Sequence, residues 1–465
     1  MINQDTICAI ATAQGGAIGT IRVSGKDAIT ITEKIFRPFK KDKILHEQPA
    51  YTLTFGKIID HEEVIDEVLI SLFKAPHSFT GENSVEITCH GSTYILQKVM
   101  ELLIKNGCRT AQPGEYTQRA FLNGKMDLSQ AEAVADLIAS TSAATHRLAM
   151  SQMRGGFSKE LAELRNQLLH ITSMIELELD FSEEDVEFAN RDQLKALADK
   201  IEQVISKLTN SFSVGNAIKN GVPVAIIGET NAGKSTLLNA LLNEDKAIVS
   251  NIHGTTRDVI EDTMNIGGIT FRFIDTAGIR ETHDTIESLG IERTFQKLDQ
   301  AEIVLWVIDA PTATEQIQQL AEKIVPRAQS KQLILVFNKS ELINESKRKD
   351  LEALAQTHYP SLTSIFISAK EKEGVEQLEK LLTNSANLPT VTQNDVIVTN
   401  MRHYEALTKA LEAIHRVQDG LEMQISGDFL SQDIRECIFH LNDIAGEVTN
   451  DMVLQNIFKN FCIGK

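Results

Sequence analysis

The sequence predicts a multidomain protein of mixed α/β and α class. Residues 1–120 mix strand-like and helical runs with turn signals, and residues 216–382 alternate buried β-runs with helices, as a doubly wound parallel sheet does. Both flanks of that second region carry apolar residues at helical spacing. We therefore expect an N-terminal α+β domain (1–120), a discontinuous helical domain (121–215 and 383–465), and a nucleotide domain (216–382) inserted into it.

Composition and charge limit the classes of protein to consider. The chain has 465 residues with a net charge of −18, so its overall field repels phosphates and weighs against a general nucleic-acid binder. Its five cysteines form no C-x-x-C pair, which indicates neither a zinc site nor a disulfide framework. The chain shows no basic leader and no long apolar run, so we expect a cytoplasmic protein without a membrane segment.

A glycine-rich loop follows a predicted strand in the middle of the chain. The apolar run 222–227 precedes it, and a helix-like run begins at Ser235. This arrangement is typical of a P-loop, in which backbone N–H groups close around phosphates, a lysine adds charge and a hydroxyl ligates Mg²⁺. We expect a nucleoside triphosphate here, with Ser235 on Mg²⁺. The residues expected on its phosphates are Asn231, Ala232, Gly233, Lys234, Ser235 and Thr236.

Three later motifs indicate that the base is guanine. A switch-type Walker B motif follows the apolar stretch 269–274, and two further strand-like runs each end in a polar motif. In the usual N-K-x-D pattern an aspartate takes two N–H bonds from guanine, whereas here the acid is Glu341, one methylene longer. Adenine offers a carboxylate no matching donor pair, so guanine is favoured over adenine, with weaker discrimination than usual. The residues concerned are Asp275, Thr276, Ala277, Gly278, Asn338, Lys339, Glu341, Ser368, Ala369 and Lys370.

The groups that would carry out hydrolysis are not identified by a single motif. Ile279 occupies the position where many small GTPases carry a water-orienting glutamine, so water must be positioned by another group. Glu287 is a candidate, although it also fits a solvated acid at a helix start. Positive charge for the transition state can come from Arg257 or Arg280, or from a monovalent cation on Asn231.

The first switch and the C-terminus supply two more candidates. In the switch segment 254–258 we place Thr256 on Mg²⁺, because a threonine hydroxyl can complete the octahedron. The chain ends in an apolar tail that contains Cys462, and its thiol is either a nucleophile or a small hydrophobe.

Several separated motifs together resemble the MnmE (TrmE) family of bacterial tRNA modification GTPases over the whole chain. Besides the P-loop, they are Gly19-Thr20-Ile21-Arg22-Val23-Ser24-Gly25, Ser78-Phe79-Thr80-Gly81-Glu82, Pro113-Gly114-Glu115-Tyr116-Thr117, Arg119-Ala120-Phe121-Leu122-Asn123-Gly124-Lys125, Gly254-Thr255-Thr256-Arg257-Asp258 and Phe461-Cys462-Ile463-Gly464-Lys465.

This resemblance implies a Ras-like G domain and an N-terminal domain that binds folate and forms a homodimer. A tetrahydrofolate derivative (5-formyl or 5,10-methylene) would meet Arg22, Glu86, Lys125 and Lys465. Glu287 would be the catalytic acid. Cys462 would take part in the modification chemistry. K⁺ would be bound by Asn231, Ser250, Ile252 and Thr255.

The resemblance also implies partners and an overall reaction. The chain would work with the FAD-containing MnmG, as a heterotetramer, to install an aminomethyl or carboxymethylaminomethyl group at C5 of the wobble uridine of tRNA. GTP hydrolysis would drive closure and opening of the G domains. The main alternative is a GTP-dependent RNA or ribosome assembly switch without modification chemistry, which would need no folate pocket in residues 1–120.

Overall fold

A computed structural model describes most of the chain. The described residues are 5–13, 15–40, 43–180, 191–242, 262–274, 298–329, 331–359, 362–388, 395–448, 454, 457–459, 461 and 464. They divide into two compact units, one of residues 1–139, 149–209 and 402–465, the other of residues 140–148 and 210–401. The predicted domain boundaries at 120, 215 and 382 stay a prediction.

The helices reproduce the predicted helical stripes. The runs Leu161 to Ile175 and Leu194 to Leu208 lie in α6 and α7, and the runs after residues 404 and 430 lie in α13 and α14. No helix in the described ranges has both the length and the apolarity to cross a bilayer. The helices are α1 (Ala28–Ile35), α2 (Thr93–Lys105), α3 (Glu115–Leu122), α4 (Leu128–Ala139), α5 (Ala143–Met153), α6 (Gly156–Asp180), α7 (Arg191–Asn210), α8 (Phe212–Asn220), α9 (Lys234–Leu242), α10 (Ala313–Ile324), α11 (Glu345–His358), α12 (Val375–Ser385), α13 (Met401–Glu422) and α14 (Gly427–Ala445).

The first unit contains a seven-stranded mixed sheet. Its strand order is β3-β4-β5-β6-β2-β1-β7, in which β1 and β7 are parallel and the other neighbours antiparallel. The strands are β1 (Ile7–Ile10), β2 (Ile18–Ser24), β3 (Phe36–Pro38), β4 (Thr52–Asp60), β5 (Glu63–Phe73), β6 (Ser84–His90) and β7 (Arg109–Thr110).

The two faces of this sheet differ in burial. On one face, side chains such as Ile21, Ile70 and Ile87 are fully buried and belong to a core that also contains residues of α1 and α2. On the other face, Leu53 and Phe55 of β4 are 62% and 49% exposed. The alternation follows from the two-residue period of a strand, which sends successive side chains to opposite faces.

The second unit contains a six-stranded sheet in the order β13-β12-β11-β8-β10-β9. All neighbours are parallel except β9 and β10, so the predicted doubly wound parallel sheet is confirmed with one antiparallel edge strand. The edge strand β9 is antiparallel because it forms a hairpin with β10. The two strands are joined by a two-residue turn at Gly267 and Gly268, both with positive φ. The strands are β8 (Val222–Ile227), β9 (Asp262–Ile266), β10 (Ile269–Phe273), β11 (Ile303–Asp309), β12 (Gln332–Asn338) and β13 (Thr363–Phe366).

A buried ionic cluster joins distant helices within the first unit. Arg402, near the start of α13, donates to both carboxylate oxygens of Glu132 in α4 and to the carbonyls of Asp443 and Ile444 at the end of α14. The His403 Nε2 atom lies 2.6 Å from Glu132. Burial alone would raise the pKa of Glu132, but attraction to His403 and Arg402 and their hydrogen bonds outweigh it and lower the pKa to about 2.

Replacing this carboxylate should destabilise the first unit. We expect Glu132→Gln to cost about 3 kcal/mol of unfolding free energy at pH 7, because it leaves the partly buried cation of Arg402 without the buried carboxylate that balances its charge. Since the pKa of Glu132 lies below its unfolded value of about 4.3, its contribution is present above that pH and lost as pH falls toward 2. The difference from wild type should shrink over the same range.

Urea unfolding followed by helical circular dichroism measures this change. Trp306 is the single tryptophan and lies in β11 of the second unit, so its fluorescence reports separately on that unit. Glu447→Gln, which breaks an exposed ion pair, is the matched control and should change stability by less than about 0.5 kcal/mol. An equal loss in both variants would contradict the assigned role of Glu132.

Candidate functional site

The predicted P-loop joins β8 to α9 at the carboxyl edge of the second sheet. Two of its glycines adopt positive φ, 148° at Gly228 and 93° at Gly233. A Cβ on Gly228 would lie 2.2 Å from the carbonyl oxygen of Val307. A Cβ on Gly233 would lie 2.1 Å from the side-chain nitrogen of Asn338. Both positions therefore require glycine on steric as well as conformational grounds.

The P-loop lysine is held close to its own loop. The Lys234 ammonium donates to the carbonyl oxygens of Gly228 at 2.8 Å and Glu229 at 2.7 Å, which places a positive charge beside the loop backbone. Ser235 follows in the first turn of α9, where helix N–H groups favour anions. The backbone of Asn231 is left-handed, with φ 67°, and its side chain is exposed. The side-chain oxygen is therefore accessible to a cation bound beside the phosphates.

Asn338 joins the P-loop to the two base-reading loops. Its side chain is buried at the end of β12, and its amide nitrogen donates to the carbonyl of Ala232 at 2.9 Å. Its side-chain oxygen accepts from the backbone N–H of Ala369 at 3.0 Å, in the predicted Ser368-Ala369-Lys370 motif. The structure thus brings together three motifs more than 30 residues apart, as the guanine-site prediction requires.

The remaining base-reading residues of this motif, Lys339 and Glu341, follow Asn338 in the chain. Lys339 is left-handed, with φ 61°, and its ammonium lies 2.6 Å from the carboxylate of Asp309 at the end of β11. Glu341 is exposed in a short 3-10 turn, so its carboxylate is accessible to a ligand. Sequence reasoning missed Asp309, because only the strand order brings it next to Lys339.

Several predicted residues lie outside the described part of the chain, and their predicted roles stay predictions. They are Ser250, Ile252, Thr255, Thr256, Arg257, Asp275, Thr276, Ala277, Gly278, Arg280, Glu287, Cys462 and Lys465.

The predicted folate residues Arg22 and Glu86 form a cross-strand pair in the first unit. They face each other in the register of β2 and β6, and the Arg22 guanidinium donates twice to one Glu86 oxygen, at 2.9 and 2.7 Å. The pair is partly exposed, and the guanidinium lies 5.6 Å from the ring centre of Tyr116. A ligand approaching this face therefore meets both an anion and a cation.

The C-terminal tail reaches the same place. The carbonyl of Gly464 accepts a hydrogen bond of 3.2 Å from Arg22. Gly464 is buried with φ 93°, and a Cβ there would lie 2.7 Å from the carbonyl oxygen of Ile10. The residue before Lys465 is thus fixed beside the Arg22 and Glu86 pair. Lys125 is held at another point, where its ammonium donates to the carbonyl of Pro76 at 3.0 Å.

A partly buried ionic network supports the loops around this pair. Arg119 donates to Asp5, Glu82 and Glu115, and Arg109 donates to Asp5 and Glu115. The hydrogen bond from Arg109 lowers the pKa of Asp5 below its usual value, against the effect of burial. Sequence reasoning gave this network no role, although Glu115 and Arg119 stand at the i,i+4 spacing of a helical ion pair.

Known protein families and proteins match this chain over most or all of its length. A family model described as the MnmE helical domain matches residues 128–462, and one described as the GTP-binding protein TrmE N-terminus matches residues 6–125. The tRNA modification GTPase MnmE of Bacteroides thetaiotaomicron is 78% identical, with 100% of both chains covered. The proteins of the same name from Phocaeicola vulgatus (100% of both chains) and Christiangramia forsetii (99% of both) are 63% and 54% identical. The chain therefore belongs to the MnmE (TrmE) family of tRNA modification GTPases.

Proposed function

We propose that this member of the family is a K⁺-activated GTPase that works with the FAD-containing MnmG on tRNA. Together they would use a one-carbon unit of tetrahydrofolate to form an aminomethyl or carboxymethylaminomethyl group at C5 of the wobble uridine. GTP hydrolysis would drive cycles of G-domain dimerisation. The observation that carries the nucleotide part is the Asn338 side chain, whose two hydrogen bonds hold the P-loop and a base-reading loop together.

Hydrolysis would use two cations and one acid. Mg²⁺ would be held by Ser235 and Thr256. K⁺ would be held by Asn231, Ser250, Ile252 and Thr255. Of these residues, Ser235 and Asn231 lie in the part of the chain that the structure describes, both in or next to the P-loop. Each side chain carries an oxygen atom, which is the kind of ligand that hard cations prefer. When bound, the cations supply positive charge to the phosphates. Glu287 would orient the attacking water.

The one-carbon part is supported by the face that carries Arg22 and Glu86. A carboxylate can accept the paired N–H donors of a pterin ring, and a guanidinium can bind an anionic group. Lys465 would join them through the docked tail.

The homodimer is supported by an exposed apolar surface. Leu53, Phe55 and Leu69 are neighbours on β4 and β5, and Phe39 stacks on Phe55 with ring centres 4.7 Å apart. All four side chains are more than 40% exposed. A contiguous apolar patch of this kind on a sheet is typical of a protein interface, so a second copy of the N-terminal domain would cover it.

Cation dependence tests the hydrolytic part of the proposal. At equal ionic strength and saturating Mg²⁺, we expect the initial GTP hydrolysis rate to be at least about tenfold higher in KCl than in NaCl, because K⁺ would supply charge that an arginine finger supplies elsewhere. Asn231→Ala should remove the activation while GTP still binds. Equal rates in the two salts would contradict the K⁺ site and favour Arg257 or Arg280 as the charge donor.

Folate binding tests the N-terminal part. We expect Arg22→Ala to weaken 5-formyl-tetrahydrofolate binding to the full-length chain by at least about tenfold in calorimetry, because it removes a charge-assisted contact. The GTP hydrolysis rate should stay unchanged. Lys105→Ala removes an exposed cation at the end of α2 in the same domain and is the matched control. If wild type binds no folate, the alternative of a switch without modification chemistry gains support.

The departure at Glu341 has a measurable consequence for the choice of base. Hypoxanthine lacks the 2-amino group of guanine, so the ratio of IDP to GDP dissociation constants reports how well the carboxylate holds both donors. We expect Glu341→Asp to raise this ratio about threefold to tenfold, because the shorter acid restores the usual geometry. Glu345→Asp at the exposed start of α11 is the control. An unchanged ratio in Glu341→Asp would show that the extra methylene of Glu341 does not weaken the reading of the base.

A further inference from the structure

A carboxylate that the nucleotide motifs do not include lies at the carboxyl edge of the G-domain sheet. β11 ends at Asp309, which is opposite Asn338 in the register with β12. The Lys339 ammonium lies 2.6 Å from Asp309 Oδ2. The side chain of Lys339 therefore crosses from the end of β12 to the end of β11.

The strand order shows why this position matters. β11 lies between β8, which leads into the P-loop, and β12, which leads into Asn338 and Glu341. A nucleotide with its phosphates on the P-loop and its base at Glu341 must pass across the end of β11. The ion pair of Asp309 and Lys339 consequently lies along the path between the phosphates and the base.

Both partners of the pair are held by other contacts of the fold. The backbone N–H of Asp309 donates to the side-chain oxygen of buried Gln316 at 3.1 Å. Lys339 is held in the left-handed conformation, and the next backbone N–H, that of Ser340, donates to the carbonyl of Ile367 at 3.1 Å. With its ammonium and its backbone both held, the methylene stem of Lys339 forms a defined apolar surface against which a ring can pack.

The pair is not explained by fold stability alone. The second carboxylate oxygen of Asp309, Oδ1, is buried and has no hydrogen-bond partner among the described residues. A buried acceptor without a donor is unfavourable, and this cost offsets what the ion pair of Asp309 contributes to folding. The Asp309 carboxylate therefore contributes little to folding, and a role in binding the nucleotide accounts for its presence.

We propose that Asp309 is a positioning residue for guanine nucleotide binding, acting through Lys339. Asp309 holds the Lys339 side chain across the end of β11, where it supports the part of the nucleotide that links phosphates to base. The inference rests on the proposed placement of the guanine nucleotide and adds a residue outside the four motifs that define that site.

A double-mutant cycle on the full-length, nucleotide-free chain tests this inference. The variants are Asp309→Asn, Lys339→Ala and the two combined, and the probe is fluorescent mant-GDP. We expect Asp309→Asn to raise the dissociation constant about tenfold, as expected for loss of one charge-assisted contact. Lys339→Ala should weaken binding at least as much. The double variant should match Lys339→Ala within about twofold, because Asp309 acts through that lysine.

The melting temperature of the nucleotide-free protein separates positioning from a merely structural role. Asp309→Asn should melt at the wild-type temperature or above it, and only its stabilisation by GDP should fall. Glu352→Gln, which breaks an exposed pair with Arg348 in the same domain, should change neither binding nor melting. Asp309→Ser replaces Asp309→Asn, with the same expected outcomes, if the latter does not fold.

Three results would overturn the inference: wild-type affinity in Asp309→Asn, a further tenfold loss when it is combined with Lys339→Ala, or a lower melting temperature without nucleotide. Failure of the wild-type chain to bind mant-GDP would instead contradict the placement of the nucleotide itself. The two failures are therefore distinguishable.

Discussion

The nucleotide site depends on one buried carboxamide. Asn338 uses its amide nitrogen on the P-loop carbonyl of Ala232 and its oxygen on the backbone of Ala369, so a single side chain fixes loops that follow three different strands. Aspartate cannot replace it, because an ionised carboxylate has no donor. The asparagine in turn requires glycine at position 233, since its side-chain nitrogen lies 2.1 Å from where a Cβ on Gly233 would be.

What the sequence could predict is local. The P-loop, the helical stripes and the strand-like runs depend on spacings within about ten residues, and the structure reproduces them. Contacts that depend on strand order were out of reach. Arg22 and Glu86 are 64 residues apart and meet only because β2 pairs with β6, so family resemblance indicated them and spacing could not. Asp309 meets Lys339 for the same kind of reason.

The C-terminal tail shows how a distant segment comes to share a site. A Cβ on Gly114 would lie 2.8 Å from the Phe458 carbonyl, and one on Gly464 would lie 2.7 Å from that of Ile10. These two close approaches hold the tail against the N-terminal domain at residues 458 and 464. The Arg22 hydrogen bond to the Gly464 carbonyl then connects residues 442 positions apart. Return of the chain to its N-terminal domain therefore brings the tail to the proposed folate face.

Two residues of the nucleotide site have a strained backbone. Asn231 and Lys339 are non-glycine residues in the left-handed region, with φ 67° and 61°, a conformation that costs about 1 kcal/mol or more each. The central strands β8, β11 and β12 offset this cost, because their side chains are fully buried on both faces of the sheet, for example Leu305 on one face and Leu335 on the other. The rigid sheet and the strained edge are thus two parts of one arrangement.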